Sequence, residues 1–281
     1  MHCRGTALRN PRRPGFESAM RKTMILLLLG TLLAGCEIFD RAAISEYEAA
    51  TKRWNAGDYQ TAVTLYFTLV KEHPYSSKAD DALYWVGVTQ FLYLGETDKA
   101  LQTLRLLLKR YPGRDMASHA QWYIAQIYEL GYNDYARAVA EYRKASEYSD
   151  REVREKSLYG LAECLFRVGK IEEARSTWIQ QVTSFPKGPQ SRLAYFRLGT
   201  AAFSKGDLEK AKQYYGKTLE NSTDKELSMK AKFALAGCFE AEDNLAEALK
   251  LYKELEPEYS NREAIHVKIG ALENRIVKKR Y

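Results

Sequence analysis

Gly57-Asp58-Tyr59-Gln60-Thr61-Ala62-Val63-Thr64-Leu65-Tyr66 is the stretch whose reading decides the fold. Glycine tolerates the left-handed backbone that ends a helix. The aspartate that follows can cap the next helix by accepting a backbone N–H bond. Ala62 and Tyr66 then share one helical face, a turn apart. The same order returns at Asn133-Asp134 with Ala138 and Tyr142, and at Gly206-Asp207 with Ala211 and Tyr215.

Counted outward from Ala62, the pattern covers most of the chain. Ala62, Ala100, Ala138, Ala174, Ala211 and Ala248 stand 38, 38, 36, 37 and 37 residues apart. Five residues before each lies Gly57, Gly95, Asn133, Gly169, Gly206 or Asp243, and in four units a capping Asp58, Asp134, Asp207 or Asn244 comes next. Four residues after each alanine comes Tyr66, Leu104, Tyr142, Trp178, Tyr215 or Tyr252; fifteen before it comes Tyr47, Trp85, Tyr123, Tyr159, Phe196 or Phe233. Pro74, Pro112 and Pro186 follow their alanines by twelve residues, where a proline ends the second helix. Self-similarity at this period marks a solenoid. The expected fold is therefore all-α, with six helix-turn-helix repeats over residues 43–260 and a capping helix over 261–281. Alanine recurs because a small side chain lets two antiparallel helices cross closely.

Small residue, aromatic and proline at these offsets after a helix-breaking glycine resemble the tetratricopeptide repeat, with a unit longer than the ~34 residues usual for it. Gly57-Asp58-Tyr59 through Pro74, Ala82-Leu83-Tyr84-Trp85, Gly95 to Ala100 and Tyr111-Pro112 resemble the longer repeats of BamD-type outer-membrane lipoproteins, with six repeats here rather than five. The resemblance implies a scaffold that docks envelope proteins during outer-membrane protein assembly. A pilotin for a secretin or type IV pilus, or a protein coordinating Tol–Pal and peptidoglycan functions, is the alternative within the same class.

Residues 20–35 have a basic head, Met20-Arg21-Lys22, an apolar run too short to span a bilayer, and a small-residue end. Leu33-Ala34-Gly35-Cys36 resembles the bacterial lipobox, which implies cleavage before Cys36 and covalent lipid on its thiol. Several acyl chains hold a protein on a membrane durably. Glu37 is not the aspartate of inner-membrane retention, so the expected location is the outer membrane, facing the periplasm, with residues 36–42 as a tether. Residues 1–19 fit no part of this scheme and read as an upstream extension.

The formal charge of +7 sits largely in the front segment. Residues 1–35 carry six of the 43 Lys and Arg but one of the 36 Asp and Glu, so without them the surplus falls to +2. The one basic cluster, Arg275, Lys278, Lys279 and Arg280, reads as a solvated helix end, and no nucleic-acid partner is expected. His73, His119 and His266 stand apart from other ligand-type residues, so no metal site and no cofactor beyond the lipid are expected. Cys164 and Cys238 occupy equivalent places two repeats apart, too far for a disulfide, and read as buried free thiols. Carboxylate runs such as Glu172-Glu173 and Glu240, Glu242 and Asp243 read as solvated faces. With no phosphate loop and no nucleophile motif, no enzyme is expected.

Function then falls to a groove lined by the first helix of each pair. The aromatic ladder from Tyr47 to Phe233 reads first as packing between helices. Four residues on come Thr51, Thr89 and Thr200 among mostly small or polar side chains, suited to an accessible surface. Trp54, Phe91, Phe166 and Phe203 lie slightly further along and are the candidate groove aromatics.

Overall fold

The computed structural model describes residues 40–220, 224–259 and 261–280; the signal-like segment and Cys36 lie outside the described residues. Among the described residues there are thirteen α-helices and no strand. They are α1 (40–55), α2 (Tyr59–Glu72), α3 (Ala79–Leu92), α4 (Thr97–Arg110), α5 (Met116–Gln126), α6 (Tyr135–Ser146) and α7 (Arg151–Arg167). After them come α8 (Ile171–Ser184), α9 (Pro189–Ser204), α10 (Leu208–Leu219), α11 (Lys225–Ala241), α12 (Leu245–Leu255) and α13 (Arg262–Arg280). A π-helical turn, Ile127–Gly131, prolongs α5. Helices α1 to α12 form six consecutive pairs, each a repeat, so the fold is the expected all-α helical repeat. Two compact units divide within α4, between Thr103 and Leu104. None of the described helices is long and apolar enough to cross a membrane.

The residues that sequence singled out make the turns. Gly57, Gly95, Asn133, Gly169, Gly206 and Asp243 all have positive φ, between 54° and 80°. Asn133 and Asp243 hold this conformation although L side chains rarely adopt it. Asp58, Asp134, Asp207 and Asn244 accept from the backbone N–H three residues on. Asp150 and Asp224 cap α7 and α11 in the same manner at 2.8 and 3.0 Å. α2 and α8 stop at Glu72 and Ser184, two residues short of Pro74 and Pro186.

All six repeat alanines are fully buried, and the residues four further on are no more than 2% exposed. Each second helix therefore drives one small and one large side chain into its repeat. The ladder from Tyr47 to Phe233 is half-buried throughout. Tyr47 packs on Tyr66, Phe196 on Tyr215 and Phe233 on Tyr252, with ring centroids 5.1 to 5.7 Å apart. The packing reading is observed in these three repeats.

The first helices do not all keep one register. In repeats 1, 4, 5 and 6 the residue after the left-handed turn bonds to a carbonyl five residues back, as Asp58 N does to Arg53 O and Asp207 N to Ala202 O. In repeats 2 and 3 it reaches six back, Glu96 N to Gln90 O and Asp134 N to Tyr128 O. One extra residue is thus accommodated in these two first-helix ends, in repeat 3 by the π-helical turn. Columns counted from the alanine slip by one residue there. Phe91 lies nine residues before its alanine, where Trp54, Phe166 and Phe203 lie eight before theirs, as this slip requires.

α13 closes the last repeat. Ile265, Ile269 and Leu272 join Ala236, Leu245, Ala248, Tyr252 and Leu255 in one buried cluster. Its basic residues are not merely solvated: Lys268 and Arg275 pair with Glu240, and Arg275 and Lys279 with Asp243. Glu242 pairs with Lys212. The acidic run expected to be a solvated face is thus engaged in ion pairs with α13 and α10.

Candidate protein-docking surface

In the first unit Trp54, at the end of α1, meets α3. Its ring lies 5.1 Å from Trp85, 5.4 Å from Tyr93 and 5.8 Å from Tyr59, and Tyr59 lies 4.4 Å from Tyr93. The Trp54 indole N–H donates to Thr89 Oγ1 at 2.9 Å. That bond fixes the indole plane and uses the polar edge, leaving an amphipathic aromatic cluster half open to solvent. Tyr93 is 45% exposed and its neighbour Leu92 52%.

The threonine column divides: Thr89 is buried, Thr51 half-buried and Thr200 exposed, as an accessible surface requires, and each makes a hydrogen bond within its own unit. Thr51 donates to the Tyr47 carbonyl and lies 2.9 Å from the Tyr66 hydroxyl. Thr89 is fully buried. Thr200 donates to the Phe196 carbonyl and accepts from Tyr215 at 3.4 Å. In repeat 3 the tyrosine hydroxyl meets Gln126 instead, the residue that the one-residue slip brings to this place, and Glu129 one turn further on. These hydroxyls and carboxylates give the buried tyrosines their partners.

In the second unit Phe166 and Phe203 are 46% and 40% exposed, and Phe166 leans on the buried Trp178 at 5.9 Å. One turn before Phe166, Glu163 accepts a bidentate pair from Arg197 at 2.9 and 2.6 Å. Burial, reinforced by the Glu163 carboxylate, pushes the Tyr159 phenol up to about 12. In the second unit, then, two outward phenylalanines flank an ion pair in which Glu163 and Arg197 satisfy each other. Of the expected residues, Trp54 and Thr89 touch each other, Phe91 is half-buried, and Phe166 and Phe203 stand outward.

Sequence profiles of the tetratricopeptide repeat match residues 81–113, 129–192 and 196–263. The chain carries tetratricopeptide repeats. No curated protein matches it. Among solved structures, the Pseudomonas aeruginosa PilF overlays with a TM-score of 0.61 at 15% identity, covering 82% of this chain and 99% of that one. PilW, a widely conserved type IV pilus biogenesis factor, overlays at 0.57 with 17% identity, covering 80% and 99%. At such identities the likeness is one of fold. Tetratricopeptide arrays characteristically act as protein-interaction scaffolds, and the outward Phe166 and Phe203 lie on first helices within the matched residues.

Tyr59, Tyr93 and Leu92 were not among the expected groove residues; the density of aromatics in Tyr84-Trp85 and Phe91-Leu92-Tyr93 was the available signal. His73 is not isolated. Its Nε2 lies 3.3 Å from Glu46 Oε1, with Glu72 close by. The pairing was hidden because it joins α1 to the end of α2. Cys164 and Cys238 are buried and free, and burial pushes their thiols up to about 12 and about 11. A thiol held neutral in this way is a poor nucleophile.

Proposed function

We propose that the protein is a scaffold lipidated at Cys36, held on the outer membrane and facing the periplasm, that docks other envelope proteins without catalysing a reaction. The observation that carries this reading is the pair of outward aromatics, Phe166 and Phe203, repeated at one place on successive first helices. Large exposed aromatics at regular spacing suit the apolar side chains of an extended partner segment, and such residues dominate interface energetics. The lipobox-like Leu33-Ala34-Gly35-Cys36 supports the anchor.

For the process served, the six repeats and the near-complete overlap with PilF and PilW favour a role in type IV pilus biogenesis, as a pilotin for a secretin. Outer-membrane protein assembly is the second reading, supported by the BamD-type resemblance of the stretches from Gly57 to Pro112. Affinity capture from detergent-solubilised envelopes separates them. Retention of secretin or pilus components, lost in a Phe166→Ala/Phe203→Ala variant, is the expected result. Retention of barrel-assembly components would move the protein to the second reading. Turnover of peptidoglycan fragments with no retained partner would overturn the scaffold. Palmitate should label the wild type and not Cys36→Ser.

A further inference from the structure

We propose that Glu46, Glu72 and His73 form a binding site for a divalent transition-metal ion of the zinc type at the edge of the first repeat. Their donor atoms all lie within 4.8 Å of one another. Ligands held ~2.0–2.2 Å from zinc in a tetrahedron stand about 3.3–3.6 Å apart. The His73 Nε2 to Glu46 Oε1 distance, 3.3 Å, is already that of a tetrahedral edge. Glu72 is exposed, so its carboxylate can turn to complete a three-ligand face and leave the fourth position to water.

Three further features distinguish this cluster from a plain ion pair. Glu46 Oε2 is shut off from solvent and has no hydrogen-bond partner. An oxygen in that position is costly unless satisfied, and a cation held by both oxygens of the Glu46 carboxylate satisfies it. Glu72 is the last residue of α2 and His73 its C-cap, so the ion would sit at the negative end of the helix dipole. The loop carrying the site is also tied down: Asp40 on α1 accepts from Ser77 N at 2.8 Å and from Ser77 Oγ at 2.9 Å. This holds the segment after His73 against the helix that supplies Glu46. An imidazole with two carboxylates favours zinc and its first-row neighbours over magnesium or calcium, which take oxygen ligands alone. A bound ion would clamp α1 to α2. The site is independent of the docking surface.

The test is a titration of the full chain, carrying a tag without histidines, with zinc chloride against a chromophoric chelator. One zinc per chain is expected. His73→Ala and Glu46→Gln should each weaken binding by more than the roughly tenfold that loss of even an outer partner costs. Glu72→Gln, at an exposed position that leaves the fold intact, should weaken binding severalfold and reduce the rise in melting temperature that zinc gives the wild type. Equal affinity in Glu72→Gln and wild type, no binding by the wild type, or a thiolate charge-transfer band on cobalt substitution would each overturn the site.

Discussion

Repeats 3 and 5 present the same residues in the same columns of the second helix and differ in how the first helix stops. Asp134 and Asp207 cap, Ala138 and Ala211 are fully buried, and Tyr142 and Tyr215 point inward in both. In repeat 5 the first helix closes with a five-residue bond and Tyr215 reaches Thr200; in repeat 3 a π-helical turn intervenes and Tyr142 reaches Glu129 at 2.6 Å. A second helix takes its phase directly from the cap beside it. The first helix takes its phase through the turn, and one residue there rotates every side chain by about 100°.

The largest expected effect probes what the two repeats share. Ala138→Phe and Ala211→Phe should each cost about 3 kcal/mol, the upper end for overpacking, because both sites are fully enclosed. Equal losses in urea melts would confirm that the second helices are equivalent. Tolerance at Ala138 alone would mean that the π-helical turn loosens the whole repeat.

Next comes the close approach around Tyr142. A Cβ added to Gly160 on α7 would lie 2.4 Å from the Tyr142 ring, and that ring is 1% exposed and anchored by its hydroxyl. Gly160→Ala should therefore destabilise by about 2 kcal/mol despite the better helix propensity of alanine. A Gly160→Ala/Tyr142→Leu double variant should recover most of the loss, which a defect unrelated to the ring would not.

These contacts mark the limit of what sequence made legible. The six left-handed stops, four of the caps, the buried alanines and the aromatics after them follow from residue type and offset, since each is fixed within one turn of the residue that signals it. The first-helix register is different: whether a turn closes over five or six residues depends on backbone packing that leaves little trace in composition. Phe91 out of column, and the doubled aromatics Tyr84-Trp85 and Trp122-Tyr123, were the visible traces. Thr51, Thr89 and Thr200 are polar residues at a helical spacing that suits either a surface or a partner for a neighbouring aromatic, and only the positions of Tyr66, Trp54 and Tyr215 show which aromatic each one meets. Glu46 and His73, 27 residues apart, meet through the crossing of α1 and α2.

A smaller effect separates the two tyrosines. Tyr142→Phe removes the donor to a carboxylate and should cost about 1.5 kcal/mol, the low end for a charged partner because Glu129 is only partly buried. Tyr215→Phe gives up a 3.4 Å contact to Thr200 and should cost less than about 0.5 kcal/mol. Equal costs would mean that the slipped register carries no energetic difference.

The smallest effect has the opposite sign and tests whether helical glycines matter only where a tyrosine ring bears on them. Gly199 in repeat 5 lies under Tyr215, where an added Cβ would stand 2.7 Å from the ring. Gly237, in the column of Thr51 and Thr200, has only the Tyr252 hydroxyl nearby, at 3.8 Å from an added Cβ. That distance is ordinary van der Waals contact, and a glycine in a helix interior gives up about 0.5–1 kcal/mol to alanine. Gly237→Ala should thus raise the melting temperature slightly and Gly199→Ala lower it. A fall in both would show that the last repeat packs its first and second helices as tightly as repeat 5, with Tyr252 drawn down onto α11 in place of its present stand-off.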